Sequence, residues 1–329
     1  MNLVPLLHHT SIRLLSSLIM PSPQQNKLLV LFYHQVLKEA DPILCDEPDA
    51  ETFDWQMGVI SKYFNVLPLS EAYELMIRGR LPRRAVCVTF DDGYANNIDV
   101  AYPILKKWNI PATFFIAVGF LDGGRMWNDT VIESIRRADQ EYLDLSKFGL
   151  SGYEISDESQ RLNVIREILN ELKYLSVNER MHKVERIAEF IGKELPDHMM
   201  MRSEQVAELH KGGMEIGGHT VNHPILARLS SEEAESEIVS GKNVLYELLG
   251  DQVTSFAYPN GVPGKDYTGL HVDIVRRAGF RLAVSTAWGC ATNRIDRYQL
   301  PRIGSWDRTP ERFSLRLLRT YLDRNVLTA

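Results

Sequence analysis

Two pairs of polar residues in this chain have the types and spacing of a hydrolytic metal site. Asp91 and Asp92 follow a run of apolar residues, and His219 and His223 lie four positions apart. Two adjacent carboxylates repel each other and are costly at the edge of a core unless a cation or hydrogen bonds stabilise them. Adjacent residues leaving a strand point in different directions, so one carboxylate could bind a metal ion while the other acts as a base.

The histidine pair adds nitrogen ligands of the kind that suits Zn²⁺. The two rings share a face if the backbone is helical, or face each other across a tight turn. Two histidines and one carboxylate leave coordination positions open to water and substrate, as hydrolysis requires. The preceding Gly217-Gly218, interpreted as a turn, would allow close backbone approach. Both signals have a structural alternative, since Asp-Asp-Gly also forms turns and helix caps, and histidines at this spacing occur by chance.

Apolar strands alternate with amphipathic helices around these residues. Strands are predicted at 28–33, 85–90, 112–117, 214–216, 254–258 and 282–285. This alternation predicts parallel βαβ units and an α/β fold, a distorted (β/α) barrel. The candidate residues lie at the carboxyl ends of predicted strands, where the loops of such folds carry the chemistry. These residues are His34, Asp91, Asp92, His219, Tyr258 and Pro259.

The chain of 329 residues is long enough for one barrel with additions, because barrels of this class commonly occupy about 200 to 250 residues. We expect the barrel to span residues 28–310. The alternation of strands and helices lapses at about 122–200, where charged helical stretches predict a helical insertion. An N-terminal helical extension (1–27) and a C-terminal helix (311–329) complete the predicted organisation.

The composition is that of an ordinary globular protein, with 44% hydrophobic and 24% charged residues. The net charge of −6 and the pI of about 5.9 argue against a nucleic-acid partner, whose binding needs a basic surface. The three cysteines are widely spaced and form no disulfide framework, which suits a reducing compartment.

The N-terminal segment is apolar but short. It lacks the charged start and the cleavage site of a signal peptide, and no stretch reaches the roughly 20 apolar residues of a membrane span. We expect a short helix packed on the barrel, with peripheral membrane contact through residues 1–20 as the alternative. The predicted location is cytoplasmic, with the inner membrane face as a possible site and the periplasm as the alternative.

Together, the two polar motifs make the sequence resemble the polysaccharide deacetylase family, also called the NodB-homology family or carbohydrate esterase family 4. Thr89-Phe90-Asp91-Asp92-Gly93 is similar to its first motif, and His219-Thr220-x-x-His223 to its second. The segment 256–261 looks like the third motif, a loop along the substrate groove. Flanking segments 102–105 and 110–115 are similar as well, so the resemblance covers about residues 28–305.

The resemblance implies the role of each matched residue. Asp91 would be the catalytic base, and Asp92, His219 and His223 would bind a divalent metal ion, with Zn²⁺ expected. The backbone N–H of Tyr258 would stabilise the oxyanion, and Tyr258 and Pro259 would line the substrate groove. The expected partner is a glycan.

Two departures from the family pattern concern the base and the acid. Ala257 stands where many relatives have an arginine that tethers the base. Arg302 is the candidate replacement for this tether and is also expected to bind substrate. The alternative is an ordinary surface or salt-bridge arginine. Leu300-Pro301-Arg302 lacks the histidine of the usual Leu-x-His motif. Tyr33-His34 is similar to a Tyr-His motif in the circularly permuted poly-N-acetylglucosamine deacetylases. This makes His34 the candidate general acid, against a structural histidine at the barrel edge.

The resemblance implies N-deacetylation of an N-acetylhexosamine-containing polysaccharide or lipid-linked saccharide. Deformylation of a lipid-linked amino sugar and peptidoglycan deacetylation would use the same residues. The non-enzyme alternative is a glycan-binding protein that keeps the barrel without turnover. Trp127, Trp288 and Trp306 could stack on sugar rings, but core packing is the expected role of each.

Overall fold

The structure, a computed structural model, describes residues 26–322 and 326–329. The expected helical extension and the membrane contact through residues 1–20 therefore lie outside the described residues, except that Asn26 and Lys27 are seen and are not helical. Among the described residues, the helices are all too short or too polar to cross a bilayer.

Eight strands form one parallel sheet at the centre of the molecule. They are β1 (Leu28–Tyr33), β2 (Asn65–Val66), β3 (Ala85–Phe90), β4 (Ala112–Ile116), β7 (Glu215–Gly218), β8 (Ser255–Ala257), β9 (Leu282–Val284) and β10 (Ile303–Gly304). Their spatial order is β10-β1-β3-β4-β7-β8-β9, with β2 also beside β3. Since all the pairings are parallel, the carboxyl ends of the strands share one edge.

The sheet curls until its two ends are joined by one segment of chain. Leu300 bridges to Val284 of β9, and Ile303, three residues later, pairs with Leu31 of β1. The segment 300–304 thus connects both edge strands. This topology agrees with the predicted distorted (β/α) barrel.

Helices lie around the curled sheet and in the insertion that follows β4. They are α1 (Ala50–Tyr63), α2 (Leu69–Ile77), α3 (Tyr102–Trp108), α4 (Trp127–Arg137), α5 (Glu158–Leu172), α6 (Val177–Ile191), α7 (Ser203–Lys211), α8 (Ser231–Leu249), α9 (Gly269–Arg277) and α10 (Pro310–Leu322). The final helix begins one residue before the predicted start and ends at Leu322, and residues 326–329 are not helical. The predicted helix of 311–329 is therefore too long.

Stacked aromatic side chains in the core hold the ends of β1 and β3 in place, directly before the candidate residues His34 and Asp91. Phe90 ends β3 and stacks on Phe114 of β4, with ring centroids 4.7 Å apart. Tyr33 ends β1 and stacks on Phe90 at 5.5 Å. All three side chains are buried. Because these rings are held in the core, the residues that follow them in the chain, His34 and Asp91, start from fixed positions.

The region 122–200 contains more than the predicted helices. It holds α4, α5 and α6, together with a two-stranded antiparallel sheet of β5 (Tyr142–Asp144) and β6 (Gly152–Glu154). Its apolar side chains, such as Ile135 and Ile187, pack in a core separate from that of the barrel. The insertion therefore folds around a buried interior of its own.

The end of this insertion is attached to the loop after β3. The N–H of Met201 donates to the carbonyl oxygen of Gly93 (2.9 Å), and the N–H of Ala95 donates to that of Met199 (2.8 Å). This loop also contains Asp92. The insertion is thus anchored beside the candidate metal ligand.

Gly217 and Gly218 lie inside β7, which corrects the expected turn at these positions. A Cβ atom on Gly217 would overlap the ring of Phe115 on the neighbouring strand β4. The glycine therefore allows the two strands to pack closely rather than forming a turn. The turn of the second motif begins only after His219.

Candidate active site

Four loops bring the candidate residues to the carboxyl edge of the sheet. His34 follows β1, Asp91 and Asp92 follow β3, and His219 follows β7. The loop after β8 contributes Asn260. Since these strands belong to one parallel sheet, their loops leave the same edge and converge, as the sequence predicts.

Asp92, His219 and His223 form a cluster with the composition of a metal site. Their ligand atoms all lie within 4.8 Å of one another. Oδ1 of Asp92 is 3.3 Å from Nε2 of His219 and 3.4 Å from Nε2 of His223. Within residues 26–322 and 326–329, this is the one group of histidine, cysteine and acidic side chains with such geometry.

The hydrogen bonding of His219 supports a cation in this cluster. Its Nδ1 lies 2.7 Å from the carbonyl oxygen of Ala257. A carbonyl can only accept, so Nδ1 carries a proton, and in the neutral tautomer the lone pair is on Nε2. That lone pair faces Oδ1 of Asp92, a buried atom with no hydrogen-bond partner. Two acceptors face each other here, and a cation between them would satisfy both.

The protonation states of the cluster also suit a metal ion. Burial lowers the pKa of His223 to about 4, so its ring is neutral at pH 7 and can donate a lone pair. Burial alone would raise the pKa of Asp92, but the neighbouring histidines, His223 first, outweigh it and hold that pKa below its usual range. Asp92 and His223 can thus bind a divalent cation without losing protons at neutral pH.

The turn that carries the histidines is stabilised by Glu237 of α8. Its carboxylate accepts from the N–H groups of Val221 (2.9 Å) and Asn222 (2.8 Å) and from Nδ2 of Asn222 (2.7 Å). The turn needs this support because Thr220 and His223 have φ values of +67° and +50°, which are unfavourable for such residues.

Helix α8 can approach this turn because it has a glycine at the contact. A Cβ atom on Gly241 would lie 2.8 Å from the carbonyl oxygen of Thr220. Sequence reasoning missed Glu237, since it lies on a charged helix with many similar glutamates. Its position opposite the turn follows only from the packing of α8.

Arg302 lies against Asp91, the expected base. Its guanidinium donates to both carboxylate oxygens at 2.8 and 2.7 Å. It also donates to the carbonyl oxygen of Ser285 (3.0 Å) and to the hydroxyl of Thr89 (3.2 Å). Burial alone would raise the pKa of Asp91, but the Arg302 cation outweighs it and holds that pKa below its ordinary value.

The position of Arg302 distinguishes between its predicted roles. The side chain has no exposed surface, so direct contact with a glycan is wrong for this residue. Contact with Asp91 is the arrangement expected of the replacement tether.

His34 lies at the mouth of the same site, with its side chain 42% exposed. Its Nδ1 is 3.9 Å from a carboxylate oxygen of Glu47. Burial would lower the pKa of His34, but the negative charges of Asp92 and Glu47 outweigh burial and raise it. Glu47, which sequence reasoning missed, also accepts from the N–H of Gln35 at 3.2 Å. The imidazole is therefore biased toward its protonated form.

Tyr258 and Pro259 do not reach the substrate side of the site, which corrects two predictions. The N–H of Tyr258 donates to the carbonyl oxygen of Val284 (3.2 Å) and so belongs to the sheet. Its ring is fully buried and stacks on Tyr267 at 3.9 Å. Pro259 is buried as well. Asn260, with a φ of +59°, is the residue of this segment that lines the cavity.

A cavity of about 370 Å³ lies between the barrel loops and the insertion. The barrel contributes His34, Glu47, Asp92, Tyr94, His223 and Asn260, and the insertion contributes Trp127, Asn128, Asp129, Lys173 and Arg180. Of the three tryptophans considered for sugar stacking, Trp288 and Trp306 are 39% and 47% exposed, so the expected core packing is wrong for these two.

Asp129 and Tyr94 form a buried pair in this cavity. The Tyr94 hydroxyl donates to both carboxylate oxygens of Asp129, at 3.2 and 3.1 Å. Burial raises the pKa of Asp129 to about 7, and the negative charge of Asp92 adds to this effect. The insertion thus places an acid that is partly protonated at neutral pH beside the metal ligands.

Comparison with known families places these motifs in one lineage. The sequence pattern described as polysaccharide deacetylase matches residues 78–283. The chain belongs to the polysaccharide deacetylase family. It is therefore a hydrolase of amide bonds, and the resemblance stated from its motifs is confirmed.

Individual relatives of this polysaccharide deacetylase are distant. The Bacillus subtilis protein YxkH is 21% identical over 279 residues, which cover 84% of this chain and 71% of that protein. The poly-β-1,6-N-acetyl-D-glucosamine N-deacetylase of Staphylococcus epidermidis is 22% identical over 221 residues, or 59% of this chain and 72% of the relative. This relative agrees with the branch that the Tyr33-His34 pair indicates.

Solved structures show the same fold. The Streptococcus pyogenes deacetylase PplD, solved with acetate, has a TM-score of 0.59 and 22% identity, covering 90% of this chain and 99% of that one. IcaB from Ammonifex degensii has a TM-score of 0.57 and 21% identity, covering 89% and 97%. The predicted distorted (β/α) barrel is confirmed.

Proposed function

We propose that the chain removes N-acetyl groups from an N-acetylhexosamine-containing polysaccharide or lipid-linked saccharide, with Zn²⁺ held by Asp92, His219 and His223. The observation that carries this proposal is the unpaired Oδ1 of Asp92, which faces two imidazole nitrogens in a cavity. The relative named as a poly-β-1,6-N-acetyl-D-glucosamine N-deacetylase supports an N-acetylated sugar as the substrate.

The Zn²⁺ ion would polarise the amide carbonyl and lower the pKa of a water molecule. Asp91 is the base that takes the proton from the attacking water. It is suited to this role because the Arg302 ion pair keeps its carboxylate ionised and oriented. Each carboxylate oxygen has a lone pair left after it accepts from Arg302 and can still take a proton.

His34 is the acid that returns a proton to the departing amine. The negative charges of Asp92 and Glu47 raise its pKa, which favours the protonated form of the ring. Its exposure at the cavity mouth leaves it accessible to a bound sugar. Asn260 takes the place of Tyr258 as the third-motif residue that contacts the substrate.

Acetate release from β-1,6- and β-1,4-linked N-acetylglucosamine oligomers tests this proposal. The purified protein should release acetate, lose this activity with a chelator and regain it with Zn²⁺. His223→Ala should lose stoichiometric Zn²⁺ and nearly all activity while its circular dichroism is unchanged. His182→Ala, an identical change at an exposed position on α6, is the matched control and should keep both.

The outcomes separate this proposal from its alternatives. Formate release from N-formylated oligomers, without acetate release, would replace it by the deformylase. Glycan binding without release of either acid would indicate a binding protein. Unchanged Zn²⁺ content in His223→Ala would remove the metal assignment.

A further inference from the structure

In the part of the chain that the structure describes, the insertion side of the cavity carries two cations without an acidic partner. Arg180 of α6 and Lys173, directly after α5, both line the cavity. Among the described residues, neither forms an ion pair with a carboxylate. The acids around the cavity have other contacts, because Asp92 faces the histidines, Glu47 lies near His34 and Asp129 binds Tyr94.

Arg180 is an unusual arginine because it is buried without a counter-ion. Its side chain belongs to a residue that is only 3% exposed. Its NH1 group donates to the carbonyl oxygen of Lys173 (3.1 Å), and its Nε has no partner in the part of the chain that the structure describes. A guanidinium has five N–H donors and keeps its charge, so a single carbonyl leaves most of its binding capacity unused. Burying a charge in this way is unfavourable unless a ligand supplies the opposite charge.

Trp127 holds the guanidinium in place. The two groups stack with the Arg180 Cζ 4.9 Å from the ring centroid. Stacking on an aromatic face fixes the plane of the guanidinium, and a fixed plane suits an oxyanion that accepts two parallel hydrogen bonds. Packing alone explains the contact with Trp127, but it does not explain why a guanidinium without a counter-ion and a second cation, Lys173, line the same cavity.

We propose that Arg180 and Lys173 form a subsite for an oxyanion, a phosphate or a carboxylate, on the glycan whose N-acetyl group is hydrolysed. This inference rests on the proposed deacetylase function and narrows its substrate to acidic glycans. One ligand can contact both the metal cluster and the oxyanion subsite. The same cavity is lined by Asp92 and His223 on the barrel side and by Arg180 on the insertion side. Arginine binds both kinds of oxyanion through paired hydrogen bonds.

Matched substrates test the subsite. Three tetrasaccharides of N-acetylglucosamine are compared: the neutral form, a form with one 6-phosphate and a form with one carboxylate at the same carbon. The wild-type protein should have a kcat/KM at least about tenfold higher for one charged form than for the neutral one, mainly through KM. The phosphate and carboxylate forms identify which oxyanion the subsite prefers. Higher ionic strength should reduce the preference.

Arg180→Gln should abolish the preference and leave the neutral substrate within about twofold of wild type. Arg180→Lys should keep part of the preference, because the charge remains but the paired hydrogen bonds are lost. Arg186→Gln is the control, since it makes the same change on the exposed side of the same helix. Lys173→Gln should weaken the preference and tests the subsite if Arg180→Gln folds poorly.

Binding can be measured without turnover on protein whose metal ion has been removed with a chelator. Calorimetry with methyl phosphate and methyl glucuronide should detect binding to wild type and Arg186→Gln, with at least about tenfold weaker binding to Arg180→Gln. Hydrolysis of the neutral substrate with no charged preference and no anion binding would overturn the subsite and leave the proposed function intact. Anion binding through Arg180 without hydrolysis of any substrate would support the subsite and overturn the deacetylase proposal.

Discussion

Both carboxylate oxygens of Asp91 accept hydrogen bonds from Arg302, although 211 positions of sequence separate the two residues. Arg302 is fully buried, and the side chain of Asp91 is 4% exposed. A buried pair of this kind is sensitive to the loss of either member, since the remaining charge has no compensation. The same contact sets both the orientation and the charge of the proposed base.

Replacing Arg302 should damage stability and catalysis together. Arg302→Met leaves a buried carboxylate and should cost about 3–5 kcal/mol of unfolding free energy, measured with urea. Because Arg302 lowers the pKa of Asp91, its loss should raise that pKa and move the acid limb of the kcat profile to higher pH. Arg302→Lys keeps the charge and should fold, yet lose turnover because one ammonium cannot replace the paired hydrogen bonds. Wild-type turnover in Arg302→Lys would contradict the tether.

Glu237→Gln should weaken metal binding without removing a ligand. The carboxylate fixes the turn between His219 and His223, and loss of such support typically lowers metal affinity about 10- to 100-fold. Competition with a fluorescent chelator measures this directly. Glu235→Gln, an exposed neighbour on the same helix, should leave the affinity unchanged. Equal affinities in all three proteins would show that the turn holds its shape unaided.

His34→Ala should lower kcat by about 10²- to 10⁴-fold while the Zn²⁺ content is retained. An activated ester should be affected much less than the amide, because its leaving group needs little protonation. The alkaline limb of the rate profile should disappear, since it reports loss of the imidazolium proton.

Glu47→Gln gives a finer test of the same acid. The carboxylate of Glu47 helps to raise the pKa of His34, so its removal should move the alkaline limb to lower pH without abolishing it. Its position is determined from kcat on the amide between pH 6 and 10. If the alkaline limb is the same as in wild type in both His34→Ala and Glu47→Gln, the general acid is another group.

Because of Asp129, the unfolding free energy of the metal-free protein should fall as pH rises. Its pKa is about 7 in the folded protein against 3.8 for an exposed aspartate. The folded state therefore binds the proton more tightly, and the stability gained below pH 4 is lost as pH rises from 4 to 7. The shift corresponds to about 4 kcal/mol at most. Asp129→Asn should flatten this dependence in urea titrations, whereas Asp46→Asn, at an exposed position, should not.

Local sequence patterns were sufficient to predict the site residues whose positions depend on a single strand or turn. The apolar run 85–90 forms a fully buried strand, so Asp91 and Asp92 had to emerge at its carboxyl end. The second motif supplied His219 and His223 at a spacing that one tight turn brings together. The contact between Arg302 and Asp91 required the family resemblance, because nothing local in the sequence points to it.

Other parts of the site depend on packing that no local pattern reports. Tyr258 was misplaced because the hydrogen bonding of the sheet continues one residue beyond β8, and this takes its N–H away from the cavity. Asn260 reaches the cavity through a backbone conformation with positive φ. Glu47 and Glu237 act on residues in other elements, so their positions follow from the way those elements pack.

The separate core of the insertion has an evolutionary consequence. The metal cluster and the ion pair of Asp91 belong to the barrel, whereas Trp127, Lys173 and Arg180 belong to a unit with its own buried interior. Substitutions at the proposed oxyanion subsite of that unit would change the charge of the accepted glycan without replacing a hydrolytic residue. Change in substrate range is therefore expected to accumulate between residues 122 and 200, outside the contacts of Asp129 and Met199 with the loop after β3.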